Sequence, residues 1–342
     1  MKRLGRRRLA LVGAAAAATV GIVLAVVLAS SPAESPPRTR LIRGIDERGN
    51  LGTFRRSYAD LLTEGSALVR RLAVPYVASD GSRRTAFVVL PRWYGPKRHP
   101  LVPLVVSPHG RGVPAVANLH FWRSLPAYGP FVLVAPEGQG RRLALYSWGW
   151  KGQIDDLARM PDIVTASLPW LRIDRRRVYA VGSSMGGQET LMLVARHPSV
   201  FAGAIALDSA TDMAARYQAF AQLRGGATLQ RLARDEIGGT PATAATAYAD
   251  RSPVAWAVQI ARSGVPLQIF WSTRDRIVTN QNDESGRMFR LIKRSNPNAP
   301  VTEVVGSWAH SEEFHDTARL PLALVRLRLI ELSGEPPPGV IP

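Results

Sequence analysis

Cysteine is absent from the whole of this 342-residue chain. That absence excludes disulfides, thiolate catalysis and cysteine-ligated metals, and with them a lipid anchor attached through a cysteine. No H-E-x-x-H pattern or other clustered ligand set occurs, so no metal site is expected. There is no repeat of solenoid type. Acidic residues are in deficit, 26 against 44 basic ones, for a net charge of +18. Five of the basic residues lie in the first eight positions, leaving 39 against 26 in the remainder. Aromatic residues make up 7% of the chain, and the scattered arginines are not interleaved with them as on a nucleic-acid face, so nucleic acid is not an expected partner. The ordinary reading is a solvated basic surface. Attraction to an anionic membrane or cell-wall polymer is the functional alternative.

Charge is also missing from Leu9 to Ala29, 21 residues behind a basic start that includes Arg6-Arg7-Arg8. As a helix this stretch spans about 30 Å, enough for a bilayer core, whereas secretory signals usually have shorter apolar runs. Its length favours an uncleaved anchor; its alanines and the small residues near Ala29 favour cleavage. Arg6-Arg7 also permits a twin-arginine signal. Residues 1–29 are therefore expected to be a signal peptide or signal anchor. The basic start stays in the cytoplasm and the rest lies outside, secreted or held at the membrane. Residues 30–70, rich in Ser, Pro and Arg at first, read as a linker or stalk. Phe54 to Leu72 has the pattern of a short amphipathic helix.

From residue 71 to 333 apolar runs of strand length alternate with helix-like runs, the pattern of one doubly wound, mostly parallel α/β sheet; residues 334–342 form a tail. Strands are expected at Leu72–Val77, Thr85–Leu90, Leu101–Ser107, Phe131–Ala135, Arg177–Val181, Ala202–Leu207, Val265–Trp271 and Val301–Val305. Pro161 to Leu171 has a helical period. Thr211 to Arg262 interrupts the strand alternation. A compact domain seldom spends 50 residues on structureless loop, so this segment, 211–262, reads as a helical cap.

Gly182-Ser183-Ser184-Met185-Gly186 follows one of these strands and opens a helix-like run, Gly187 to Arg196. G-x-S-x-G between strand and helix is the pattern of a nucleophile elbow. It would expose Ser184 and turn the Met185 amide toward a developing oxyanion. Asp275 stands just past a later strand, and His310 follows the last one in the loop Gly306-Ser307-Trp308-Ala309-His310. Serine, acid, histidine is the order expected of such a site. The arrangement resembles the α/β-hydrolase family over roughly residues 70 to 333. The resemblance implies Ser184 as nucleophile, Asp275 as acid and His310 as base. It also implies that the loop Ser107-Pro108-His109-Gly110-Arg111-Gly112 supplies the second oxyanion amide, from Arg111 or next from Gly110, with His109 shaping the backbone there.

Other assignments stay open at this level. Ser183 adjoins Ser184; His315 follows His310 within a helix-like run; Asp208 ends a strand and could replace Asp275. Asp283 reads as a helix-start residue, and His99, His120 and His197 as structural or solvent-facing. Trp148 and Trp150 lie after the fourth strand, where aromatics could line an acyl pocket, or could simply pack in the core. Arg111 or Arg274 could pair with a substrate carboxylate, although surface arginines are commoner.

The chemistry implied is two-step acyl transfer without a cofactor, on a small-molecule or polymer ester. Aromatics near the site resemble those of secreted polyester and feruloyl-type esterases. Asp250-Arg251-Ser252-Pro253-Val254 resembles a segment of prolyl-oligopeptidase-type peptidases, whose usual propeller domain finds no room in about 40 residues before the domain. Ester hydrolysis is therefore expected ahead of peptide hydrolysis, with a non-catalytic hydrolase-fold binding module as the alternative from another class.

Overall fold

The computed structural model describes residues 68–122, 125–312 and 319–330. The expectations for residues 1–29, for the stalk as far as residue 67, for the tail and for His315 lie outside these. Among the described residues no helix is long and apolar enough to cross a membrane.

Eight strands form one sheet: β1 Val69–Val77, β2 Arg83–Pro91, β3 Val102–Val106, β4 Val132–Pro136, β5 Ile173–Ser183, β6 Gly203–Leu207, β7 Leu267–Ser272 and β8 Val301–Gly306. Their order is β1-β2-β4-β3-β5-β6-β7-β8. β2 runs antiparallel to both its neighbours, and the strands from β4 to β8 are mutually parallel. Every expected strand is present. The first begins three residues earlier than expected, so residues 69–72 are strand and not the end of an amphipathic helix.

The helices are α1 Ala115–Trp122, α2 Leu125–Tyr128, α3 Lys151–Ser167, α4 Met185–Arg196, α5 Met213–Phe220, α6 Gly226–Ile237, α7 Ala245–Asp250, α8 Ala257–Arg262, α9 Arg287–Ser295 and α10 Arg319–Arg326. α3 starts ten residues before Pro161 and ends at Ser167, so the helical period seen from Pro161 was only its second half.

The inner strands β3, β4 and β6 are buried at every position, as parallel strands covered on both faces must be. Alternate side chains serve two cores. Leu104, Val106, Val132 and Val134 pack with Leu157 and Met160 of α3 and Leu191 to Val194 of α4. Val105, Leu133 and Ala135 face the other way, toward Leu119 and Trp122 of α1 and Leu324 of α10. Edge strand β1 instead mixes buried and exposed positions. The segment expected as one cap divides. α8 packs on α4 and α9 beneath the sheet, while α5, α6 and α7 build a third apolar cluster with Trp148 and Met185.

Candidate active site

β5 ends at Ser183, and Ser184 turns the chain into α4 with φ 60° and ψ −122°. A non-glycine residue there carries backbone strain that the surroundings must impose. Three glycines permit the turn. A Cβ on Gly182 would overlap the Gly186 carbonyl, one on Gly186 the Pro108 carbonyl, and one on Gly187 the Ser209 hydroxyl. The Ser184 amide donates to Leu207 O at 2.9 Å, and its side chain does not cap the helix.

Asp275 lies in the turn after β7. Its Oδ1 accepts the amides of Ile277 (2.8 Å) and Val278 (2.9 Å), and its Oδ2 accepts Gln281 Nε2 (3.1 Å) and meets His310 Nδ1 at 2.7 Å. Burial alone would raise the Asp275 pKa. The bond and charge of His310, with Gln281 and the Ile277 amide, outweigh it and hold the carboxyl below its ordinary value. A second acid stands beside the first. Asp208, wholly buried with φ 42°, accepts the amides of Ser272 (3.0 Å) and Ser311 (2.9 Å). Asp208, Asp275 and His310 present ligand-type atoms within 4.8 Å of one another. All four carboxylate oxygens in this cluster already accept N–H groups, so it is satisfied as a hydrogen-bond network.

Asp275 is thus the acid on the imidazole, and Asp208 holds the backbone beside it. The Ser272 hydroxyl accepts the Trp308 amide (2.8 Å) and the Arg274 amide (3.0 Å) and donates to the Trp308 carbonyl, tying the acid turn to the histidine loop. Ser183 Oγ meets Ser311 Oγ at 2.6 Å, which joins the serine turn to the same loop. No hydrogen bond links Ser184 to His310 among the described residues, and such bonds commonly tighten only when substrate binds.

The loop after β3 is set by His109, 1% exposed. Its Nε2 accepts the Gly138 amide (2.8 Å), which leaves the proton on Nδ1 to donate to Gly110 O (2.8 Å). Burial lowers the His109 pKa and keeps the ring neutral, against smaller opposing effects from these bonds and Glu137. Because a peptide is planar and trans, fixing the Gly110 carbonyl also fixes the Arg111 N–H, which points the opposite way. The Gly112 amide is already used by Leu145 O.

Ser184, Met185 and Arg111 line a narrow cavity of about 20 Å³, walled by Trp148, Met213, Arg216 and Phe220 among others, with room for about one water. Trp148, 2% exposed, packs with its ring tilted against Tyr146 (centroids 5.4 Å apart) and Phe220 (6.1 Å). Trp150 does not reach this cavity: it precedes α3 and its ring lies over Gly152. Arg274 is exposed outside it. Asp283 is exposed in the first turn of a short π-helix, Asn282–Gly286, that leads into α9, as expected of a helix-start residue, and accepts from Asn280; His99 bonds Gly95 O, and His197 bonds Asp155 at 3.0 Å.

Sequence reading missed the supports of this site. Glu189 on α4 is buried and bonded to Ser147, and desolvation pushes its pKa up to about 8. Glu236 accepts the amides of Arg141, Arg142 and Leu143 and an ion pair from buried Arg251, whose Nη1 also reaches Ser147 O at 2.7 Å. This ties the motif Asp250–Val254 to the loop that carries Trp148. An acid on an otherwise apolar helix face was the only available signal for Glu189.

Residues 151–310 match the sequence model of the prolyl oligopeptidase family, a span that holds Ser184, Asp275 and His310. No curated protein matches the chain. Among solved structures, the acylaminoacyl peptidase of Pyrococcus horikoshii is 16% identical with a TM-score of 0.60, over 81% of this chain and 44% of its own. A puromycin-hydrolyzing peptidase of Mycobacterium tuberculosis is 20% identical with a TM-score of 0.59, over 77% and 39%. The S-formylglutathione hydrolase FrmB of Staphylococcus aureus is 15% identical with a TM-score of 0.56, over 76% and 98%. The chain spans less than half the length of these peptidases and aligns with nearly all of the third protein. The strand order, the turn at Ser184 and the family match give this chain the α/β-hydrolase fold.

Proposed function

We propose that the protein is a serine peptidase acting on short peptides or acylated amino acids through Ser184, His310 and Asp275. The observation that carries this reading is the family match, which runs from the start of α3 to His310 and so takes in all three residues. It reverses the order expected from sequence, which put ester hydrolysis first. In the mechanism, neutral His310 removes the Ser184 proton through Nε2, while Asp275 holds Nδ1–H and stabilises the imidazolium. The amides of Met185 and Arg111 receive the oxyanion, and water then resolves the acyl-enzyme with the same base. α5, α6 and α7 act as a cap that limits substrate size, and the N-terminal segment delivers the domain outside the cytoplasm.

Ester hydrolysis is the second reading. It is favoured by the alignment with nearly all of the S. aureus hydrolase, a protein with no additional domain in that alignment. A matched panel of aminoacyl anilides and aminoacyl p-nitrophenyl esters separates the two. Anilide hydrolysis within about a hundredfold of ester hydrolysis in kcat/KM is expected of the peptidase. Turnover of esters alone would overturn it.

A further inference from the structure

The cavity beside Ser184 contains more positive charge than the reaction uses. Arg216, on α5, is 2% exposed. Its Nη2 donates to Ile277 O at 2.7 Å, but its Nη1 is buried with no hydrogen-bond partner among the described residues. Arg111 enters from the loop after β3. Its guanidinium lies 5.3 Å from the centre of the Phe220 ring, and that of Arg216 lies 5.2 Å from the same ring. Among the described residues the Arg111 side chain makes no hydrogen bond or ion pair. Burial lowers the pKa of both arginines, and Arg216 lowers that of Arg111 further.

Two guanidinium groups held on one ring repel each other and have lost water, an arrangement that persists at a cost unless an anion completes it. The nearest acids, Glu284 and Asp275, attract Arg216 through space, but the oxygens they engage are bonded to other donors. Glu284 Oε2 accepts from the Thr211 amide and hydroxyl and the Asp212 amide, and Asp275 is bound to His310, Gln281 and two amides. Neither gives Arg216 Nη1 an acceptor.

We propose that this cavity recognises a carboxylate of the substrate through Arg111 and Arg216, next to the bond that Ser184 attacks. A planar carboxylate matches the guanidinium fork. The apolar walls (Trp148, Met213 and Phe220) suit it better than a more strongly hydrated dianion. The location of the scissile bond rests on the proposed role of Ser184; the anion site itself does not. The carboxylate sits either on the acyl part or on the leaving part of the substrate.

Calorimetric titration of the full chain with N-acetylalanine, a monoanion, and with its neutral amide, N-acetylalaninamide, tests recognition without turnover. The acid is expected to bind at least tenfold tighter. The preference should vanish in Arg111→Met, which leaves no partner stranded among the described residues, shrink in Arg216→Lys, and persist in Arg274→Met, an exposed arginine outside the cavity. Equal affinities, binding of neither compound at 10 mM, or equal loss in Arg274→Met (the general field of a chain of charge +18) would overturn the proposal, whether or not Ser184 reacts. Two kinetic pairs then locate the group: p-nitrophenyl hemisuccinate against p-nitrophenyl butyrate for the acyl side, and N-acetyl-alanyl-alanine against its amide for the leaving side. A tenfold higher kcat/KM for the charged member of one pair supports the site and assigns its side. Slower turnover of the charged member in both pairs would overturn it. No turnover of any of the four would count against the proposed function, with the titration still deciding the anion site.

Discussion

Asp275 and Asp208 show how two buried carboxylates a few ångströms apart divide their work. Asp275 faces the imidazole and is kept charged by His310, Gln281 and two amides; Asp208 faces backbone N–H groups on either side. Asp275→Asn, which can no longer hold the productive tautomer, is expected to lower kcat by about 10⁴-fold, while a melting curve reads whether the fold survives. Removal of the His109 ring frees the peptide that carries the Arg111 amide, so His109→Ala should lower kcat about 10²–10³-fold with little change in KM, the loss typical of one oxyanion donor. Glu189 behaves in the opposite sense to Asp275. Its folded pKa, about 8, lies above its ordinary value of 4.5. The folded protein therefore keeps a proton that the unfolded chain releases, and stability falls as pH rises from about 4.5 to 8. Glu189→Gln should flatten that slope and raise stability above pH 8 by about 3–5 kcal/mol, read as urea midpoints across pH. An unchanged slope would show that Glu189 is ionised in the fold.

At the scale of elements, the strands were legible because covered parallel strands must be continuous apolar runs, as in Leu104-Val105-Val106 and Val132 to Ala135. The turn at Ser184 was legible because only glycine fits at 182, 186 and 187. Asp275 and His310 were noticeable because each directly follows a strand, which brings it to the same edge of the sheet. The choice between Asp275 and Asp208 was not legible, since both follow strands and only the register of β6 against β7 decides which faces the ring. Nor were Arg216 and Glu236, whose partners lie 61 and about 95 residues away. The start of α3 was hidden behind Trp148-Gly149-Trp150, and Pro161 suggested a helix beginning where one was already half complete. The pairing of α6 with the loop before α3 carries its own test. Glu236→Ala strands buried Arg251 and three amides, and should cost about 3–5 kcal/mol in denaturant unfolding. A loss under 1 kcal/mol would mean that water replaces the carboxylate.

At the scale of the whole molecule, a sheet with buried inner strands holds the serine turn, the acid turn and the histidine loop at one edge, and α5 lines the cavity beside them. In the proposed reading, the uncharged run Leu9 to Ala29 sets where this domain works. If it is an uncleaved anchor, the full-length chain should stay with membranes after carbonate washing and give an intact mass; a soluble product beginning near residue 30 would establish cleavage. The basic surface should make adsorption to anionic vesicles weaken steeply with salt, whereas recognition inside the cavity, shielded from solvent, should weaken far less.

The activity proposed for this protein depends on an activated serine at position 184. The full chain treated with a fluorophosphonate probe, digested and sequenced by mass spectrometry, tests it directly. Label on Ser184, absent in Ser184→Ala and strongly reduced in His310→Ala, is the expected result. A folded protein that takes no label, or one labelled on Ser183, would contradict a working Ser184–His310–Asp275 site.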